Sequence, residues 1–470
     1  MAAVAVGAGA LLAPMIASAA PPHFTYTLNR IGPQDGGGEP SVVVSKDGTI
    51  YVSAPGNQME FFRSADQGQT FVQGSSPASP SGDTSVNVDQ SGAVYQSNLN
   101  GIDFGTNTLQ VDIYKSFDKG DTWPQKGTST IEENSTGQPF FVDRQWTDAQ
   151  IPPGGNTDSA LVYVSYHDWV PSQVWVSKST DGGKTFGTPV AVINDPAAIA
   201  DSYCNTIPGG LKIVRSGPHA GRVYVAWLGG DPSNILTGCN ETQLQAFHDI
   251  WVAYSDDQGQ TWTDQVVSDA GPLHDASEIF ADLTLDNRGN PYIGFTMNLV
   301  DEFDVYVEAS FDGGHTWNGK SDGTGTPYKV NTDTGTHYFP AIIAGKPGQV
   351  DVAYLGTTTI VPTTAYGKPE PNGDADADWN VFVAQGRNLV GGNPKFFTQQ
   401  LTTTPIHHGD VCTLGVFCLA VMGNRNLLDF IDVATDASGL WHIAYTDDYS
   451  GADLVMANQT GGPSIGAGGH

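Results

Sequence analysis

A short pattern, S-x-D-x-G-x-T-[FW], recurs five times along the chain and constrains the fold more than any other feature. The copies are Ser64–Phe71, Ser116–Trp123, Ser179–Phe186, Ser255–Trp262 and Ser310–Trp317. Their irregular spacings of roughly 50 to 75 residues mark one structural unit repeated with variable loops. Each residue type has a physical reason. The Asp accepts backbone N–H groups inside a tight turn, the Gly takes a positive φ, and the aromatic ring packs between neighbouring sheets. Strand-like runs such as Met59–Phe62 and Ile250–Ala253 precede the copies, so the pattern joins two antiparallel strands.

A second hairpin lies upstream of each copy. Ser41–Val44 and Thr49–Val52 flank the turn Lys46-Asp47-Gly48, and Leu283–Leu285 and Pro291–Gly294 flank Asn287–Asn290. Two hairpins per repeat make a four-stranded sheet, the blade of a β-propeller. Two further units lack the pattern but keep the strands, one from Tyr338 through Val350–Tyr354 to Val381–Val383, the other from Phe430–Val433 through Trp441–Tyr445 to Leu454–Met456. The expected fold is therefore an all-β, seven-bladed propeller, with a six-bladed ring as the alternative. The last unit shows only three strands, and Phe24–Leu28 is an orphan strand near the N-terminus. That strand is expected to complete blade seven and so remove the exposed sheet edges of an open ring.

Composition agrees. The chain of 470 residues has 57 Gly and 29 Pro for turns and only 15% charged residues, which suits many short strands. Fifty acidic against twenty basic side chains give a formal charge of −30, which repels nucleic acid and leaves Ca²⁺ binding open without requiring any cofactor. Residues 1–20 read as an export signal ending in the small residues Ala17-Ser18-Ala19, residues 24–460 as one propeller domain, and residues 461–470 as a flexible tail. No later run is apolar enough to span a membrane, so a secreted, extracellular monomer is expected. The four cysteines then read as two disulfides, Cys204 with Cys239 and Cys412 with Cys418, since neither pair has zinc-site spacing.

The repeats resemble the Asp-box, or bacterial neuraminidase repeat, and the chain resembles the sialidase-like propeller superfamily. The resemblance implies that Asp66, Asp118, Asp181, Asp257 and Asp312 are structural, on the blade periphery, and that function lies at one mouth of the central channel. There the first strand of each blade begins. Reading that position round the ring gives Glu39, Asp83, Asp143 with Arg144, Tyr203, Glu278, His337 with Tyr338, and Asp429. Sialidases of this family grip a substrate carboxylate with three arginines, use a Tyr–Glu couple as nucleophile and an Asp as acid. By that resemblance Glu278 and Tyr338 form the couple and Asp83 is the acid. Arg30, Arg144 and Arg425 form a possible anion clamp, with Asp143, Tyr203 and Glu39 also lining a glycan site. The arginines do not follow the family's positions: blades four and five have none at the start of their first strands. The expected partner is a glycan or glycoconjugate, bound at the channel mouth, with sialidase-type hydrolysis as the further expectation. A non-catalytic glycan- or protein-binding propeller is the alternative.

Other clusters carry less. Asp374, Asp376 and Asp378 alternate as calcium-loop ligands do, but Trp379 and Gln385 stand where such a loop needs Gly and Glu. Trp146, Trp169, Tyr166 and Tyr203 could stack on sugar rings or simply pack blade against blade. No serine-hydrolase, zincin or P-loop pattern appears.

Overall fold

A computed structural model describes residues 22–33, 37–56, 60–77, 81–100, 110–129, 142–168, 172–230, 247–271, 274, 276, 279–299, 302–362, 376–414, 418, 422–449, 451 and 453–466. Among them are seven antiparallel blades in a ring. Blade one is Ser41–Val44, Ile50–Ala54, Glu60–Ser64 and Val72–Gln73; blade two Ser81–Val88, Val94–Asn100, Gln110–Ser116 and Gln125–Ser129; blade three Val142–Gln150, Leu161–Asp168, Gln173–Ser179 and Val190–Ala191. Blade four is Asn205–Ile213, Val223–Gly230, Asp249–Ser255 and Thr263–Asp269; blade five Asp282–Leu285, Pro291–Met297, Asp304–Ala309 and Tyr328–Lys329. Blade six is Thr336–Ala344, Gln349–Thr357, Asp378–Arg387 and Lys395–Gln400, with His407–His408 added beside Asp378–Trp379. Blade seven is Asp432–Thr435, Trp441–Asp447, Asp453–Gly461 and, as expected, the N-terminal strand Thr25–Arg30. Each inner strand touches the next, and the seventh touches the first.

All five Asp-boxes form the same local staple. In the first, Ser64 Oγ donates to Asp66 and accepts from the Gly68 N–H, while Thr70 gives Asp66 both its N–H, at 2.9 Å, and its hydroxyl, at 2.6 Å. The turn places two successive residues at positive φ, Gln67 at 62° and Gly68 at 79°, and the second of these is glycine in every copy. The aromatic then packs against the adjoining blade: Trp123 meets Phe61 edge-on at 5.0 Å, and Trp317 is fully buried.

A second staple ties the inner strands together. Asp148, Asp282 and Asp432, on blades three, five and seven, each accept a backbone N–H from the next inner strand, of Ile213, Ile342 and Val42 respectively. These carboxylates line a channel cavity of about 460 Å³ that runs to the face opposite the strand starts. Burial pushes Asp282 up to about 7.

The closing strand is anchored by the residue just before it. Phe24 is buried against Trp441, and its backbone exchanges two hydrogen bonds with the Gln399 side chain of blade six. At the other end, the expected flexible tail is corrected in part. Gly461 still belongs to the last strand, and Ile465 is buried and bonded to Lys346 and Gly439, because its apolar side chain covers the seam between blades six and seven. The Cys412–Cys418 disulfide is present; Cys239 lies outside the described residues.

Candidate functional site at the channel mouth

The mouth is floored by three aromatic rings. Trp146, Phe280 and Phe430, from blades three, five and seven, meet at centroid separations of 5.7–6.1 Å. Each stands two residues before one of the inner-strand aspartates, as Trp146-Thr-Asp148, Phe280-Ala-Asp282 and Phe430-Ile-Asp432. A strand presents alternate residues to the same side, so this aromatic-x-Asp spacing places both on the channel. It is the signal that reading mouth positions alone passes over.

Arg144 lies over that floor. Its guanidinium carbon sits 4.2 Å from the Phe430 ring centre, 4.3 Å from Trp146 and 5.5 Å from Phe280. A cation over aromatic faces is stabilised by the ring quadrupoles, by about 2 kcal/mol when desolvated. None of its three guanidinium nitrogens makes a hydrogen bond, and the Asp83 carboxylate is 3.7 Å from Nη1. The position depends on backbone strain: the inner strand bulges between Asp143 and Trp146, and Arg144 takes φ 43°.

Around this cation the predicted residues of blades seven, one, two and three converge. The Asp143 and Asp83 carboxyls are neighbours that act on each other electrostatically. Burial first, and then the Asp83 charge, push Asp143 up to about 8, so it holds its proton at neutral pH. Glu39 is buried, at φ 51°, and burial followed by the Asp429 and Asp83 charges raises it well above the usual carboxylate range. Arg425 bonds Glu39 at 3.2 Å and grips Asp429 through Nε and Nη2. Solvent reaches this group through the partly exposed Asp83 and Arg425 side chains.

Other expectations are corrected. Tyr338 is not at the mouth: its ring is fully buried, stacked on Trp379 at 5.0 Å and edge-on to Phe303. The strand bulges between Tyr338 and Ala341, with Phe339 at φ 54°, which breaks the alternation and turns Tyr338 into the core beside blade seven. His337 is likewise buried, beside Tyr354 and Phe382. Arg30 ends the outermost strand of blade seven and pairs with Asp453, so it sits on the perimeter. Tyr203 is 66% exposed between a short helix, Pro196–Asp201, and the inner strand of blade four. Tyr166 is core, and Glu278 and Trp169 lie outside the described residues. Of the calcium-loop candidates, Asp374 lies outside them, while Asp376 and Asp378 face His408 at 3.6 and 2.9 Å. No group of three or more His, Cys, Asp or Glu among the described residues could hold a metal. No helix among them is long and apolar enough to cross a membrane.

Comparison with known proteins agrees with this architecture. A family profile described as BNR/Asp-box repeat matches residues 253–264. A polysaccharide lyase, an ulvan lyase solved with a -[GlcA(1-4)Rha3S]- ligand, superimposes with TM-score 0.54 at 13% identity, over 94% of this chain and 97% of that one. The leech intramolecular trans-sialidase gives 0.41 at 14%, covering 96% and 71%, and the Trypanosoma rangeli sialidase, solved with sialic acid, gives 0.43 at 15%, covering 93% and 59%.

Proposed function

Taking the chain as a sialidase-like propeller of the BNR/Asp-box kind, we propose that it is a secreted, carbohydrate-active protein that binds a glycan at the channel mouth and uses the Asp83–Asp143 pair as proton donor. One observation carries the reading. Two neighbouring carboxyls lie beside a buried guanidinium at the solvent-reached end of the channel, and one of them, Asp143, holds its proton at pH 7. In a hydrolysis, Asp143 gives its proton to the glycosidic oxygen as the bond to the anomeric carbon breaks. Water adds to that carbon, and a second carboxylate takes the water's proton. Glu278, two positions before Phe280, is the proposed second carboxylate. The disulfide and the small-residue stretch at the N-terminus support export.

A binding protein without turnover is the second reading, and the burial of Tyr338 favours it, since a hydroxyl inside the core cannot attack a sugar. The test is a chromogenic glycoside and glycan panel, read for turnover and for binding, with Asp143→Asn and Glu278→Gln beside the wild type. Turnover lost in both variants with binding retained supports the enzyme; turnover untouched by Asp143→Asn refutes the proton donor. Binding with no turnover in any sample selects the second reading.

A further inference from the structure

The arginines decide what charge a ligand at this mouth can carry. All eight arginines of the chain are among the described residues. Arg63, Arg215, Arg222, Arg288 and Arg387 lie where strands and turns meet the face opposite the mouth, as the antiparallel order of each blade requires. Arg30 is on the perimeter with Asp453. Only Arg144 and Arg425 remain, and both are engaged. Arg144 is buried against three rings with its nitrogens shielded from solvent, and Arg425 is held between Glu39 and Asp429. Against these two guanidiniums stand four carboxyl groups, Glu39, Asp83, Asp143 and Asp429, on a molecule of formal charge −30.

A substrate carboxylate or sulfate entering here would find the unbonded nitrogens of Arg144 buried out of solvent's reach, would have to displace a carboxylate from Arg425 to gain a guanidinium, and would approach a site with twice as many carboxyl groups as guanidiniums. Carboxylic acids and carboxylates instead suit hydroxyl groups, since together they donate and accept hydrogen bonds without leaving a charge to be matched. We infer that the mouth takes an uncharged sugar residue rather than a carboxylated or sulfated one. The inference rests on the glycan-binding reading above and assigns its substrate class. It also gives Glu39 a role: by occupying Arg425, it is a positioning residue that denies that cation to anionic ligands.

The experiment is titration calorimetry of the full chain, at low and at moderate salt, with cellohexaose, laminarihexaose, mannohexaose and galactohexaose against sialyllactose, oligogalacturonate and a sulfated oligosaccharide. The expected result is binding of at least one neutral oligomer, tenfold or more tighter than every anionic probe. A second arm uses Glu39→Gln, which is expected to strengthen binding of sialyllactose or oligogalacturonate at least threefold by releasing Arg425. Anionic probes binding tenfold tighter than neutral ones, with affinity falling as salt rises, would overturn the inference and leave glycan binding standing. No binding by any probe would overturn the glycan reading itself, and the inference with it.

Discussion

The proton on Asp143 is the sharpest consequence of the mouth geometry. With its carboxyl raised to about 8, about ten molecules in eleven carry that proton at pH 7, whereas an ordinary Asp would be ionised in nearly all. Two neighbours act on it in opposite directions: the Asp83 charge raises it and the Arg144 charge lowers it, on top of the burial that dominates. Asp83→Asn keeps a hydrogen-bonding side chain but removes the like charge, the second-largest cause of the rise after burial. Asp143 then titrates lower and gives up more of its proton at pH 7, yet burial still holds it above the ordinary value. Arg144→Met shifts the same group upward. The assay is pH-difference infrared spectroscopy between pH 4 and 9, following the carbonyl stretch of protonated carboxyl groups, with Asp143→Asn identifying the band. Because the two acids titrate together, the midpoint belongs to the pair, and the direction of each shift is the discriminating quantity. A band with a midpoint near 4 in the wild type, or one unmoved by Asp83→Asn, would refute this reading of Asp143.

Three further outcomes follow from the frame. Asp257→Ala removes the acceptor of four local hydrogen bonds, from Ser255, the Gln260 N–H, the Thr261 N–H and the Thr261 hydroxyl, and is expected to cost about 1–3 kcal/mol in denaturant unfolding without altering ligand binding at the mouth. Deleting residues 22–30 strips the outer strand from blade seven and bares the edge of Asp453–Gly461, so size-exclusion chromatography should show oligomers or aggregate where the intact chain runs as a single species. Stability should peak near pH 4. Asp143 and Asp282, raised to about 8 and about 7, bind more protons folded than unfolded, so stability falls as pH rises from about 4 to 8, while Asp66, held near 2 by the Thr70 side chain, withdraws its contribution as pH falls from about 4 to 2. Thermal melts across pH 3–9 that rise steadily toward alkaline pH would contradict this.

The Asp-boxes were legible because each is self-contained: every bond of the staple joins residues at most four apart, so the sequence carries its whole geometry. The closing strand was legible for a different reason, an arithmetic deficit of one strand that only Thr25–Arg30 could fill. At the mouth, position along the repeat sufficed for Glu39, Asp83, Asp143, Asp429 and the paired Arg425, since strand starts fall at the same height in each blade. Direction was another matter. A bulge of one residue reverses which side a strand shows, and bulges between Tyr338 and Ala341 and between Asp143 and Trp146 sent one predicted residue into the core and stood the other over the aromatic floor.

The aromatic-x-Asp triplets explain why the polar cluster lies on one side of the ring. Alternation cannot close evenly on seven blades. Rings from blades three, five and seven leave blades one and two adjacent and without a ring, and these two blades supply Glu39 and Asp83. The flanking blades three and seven then contribute Asp143 with Arg144, and Asp429 with Arg425, toward the same gap. The odd blade count thus sets a polar, solvent-reached sector beside an apolar floor. Arg144 covers that floor, so on the glycan-binding proposal a ligand would meet the polar sector of blades one and two, with Asp83 and Asp143, rather than the rings.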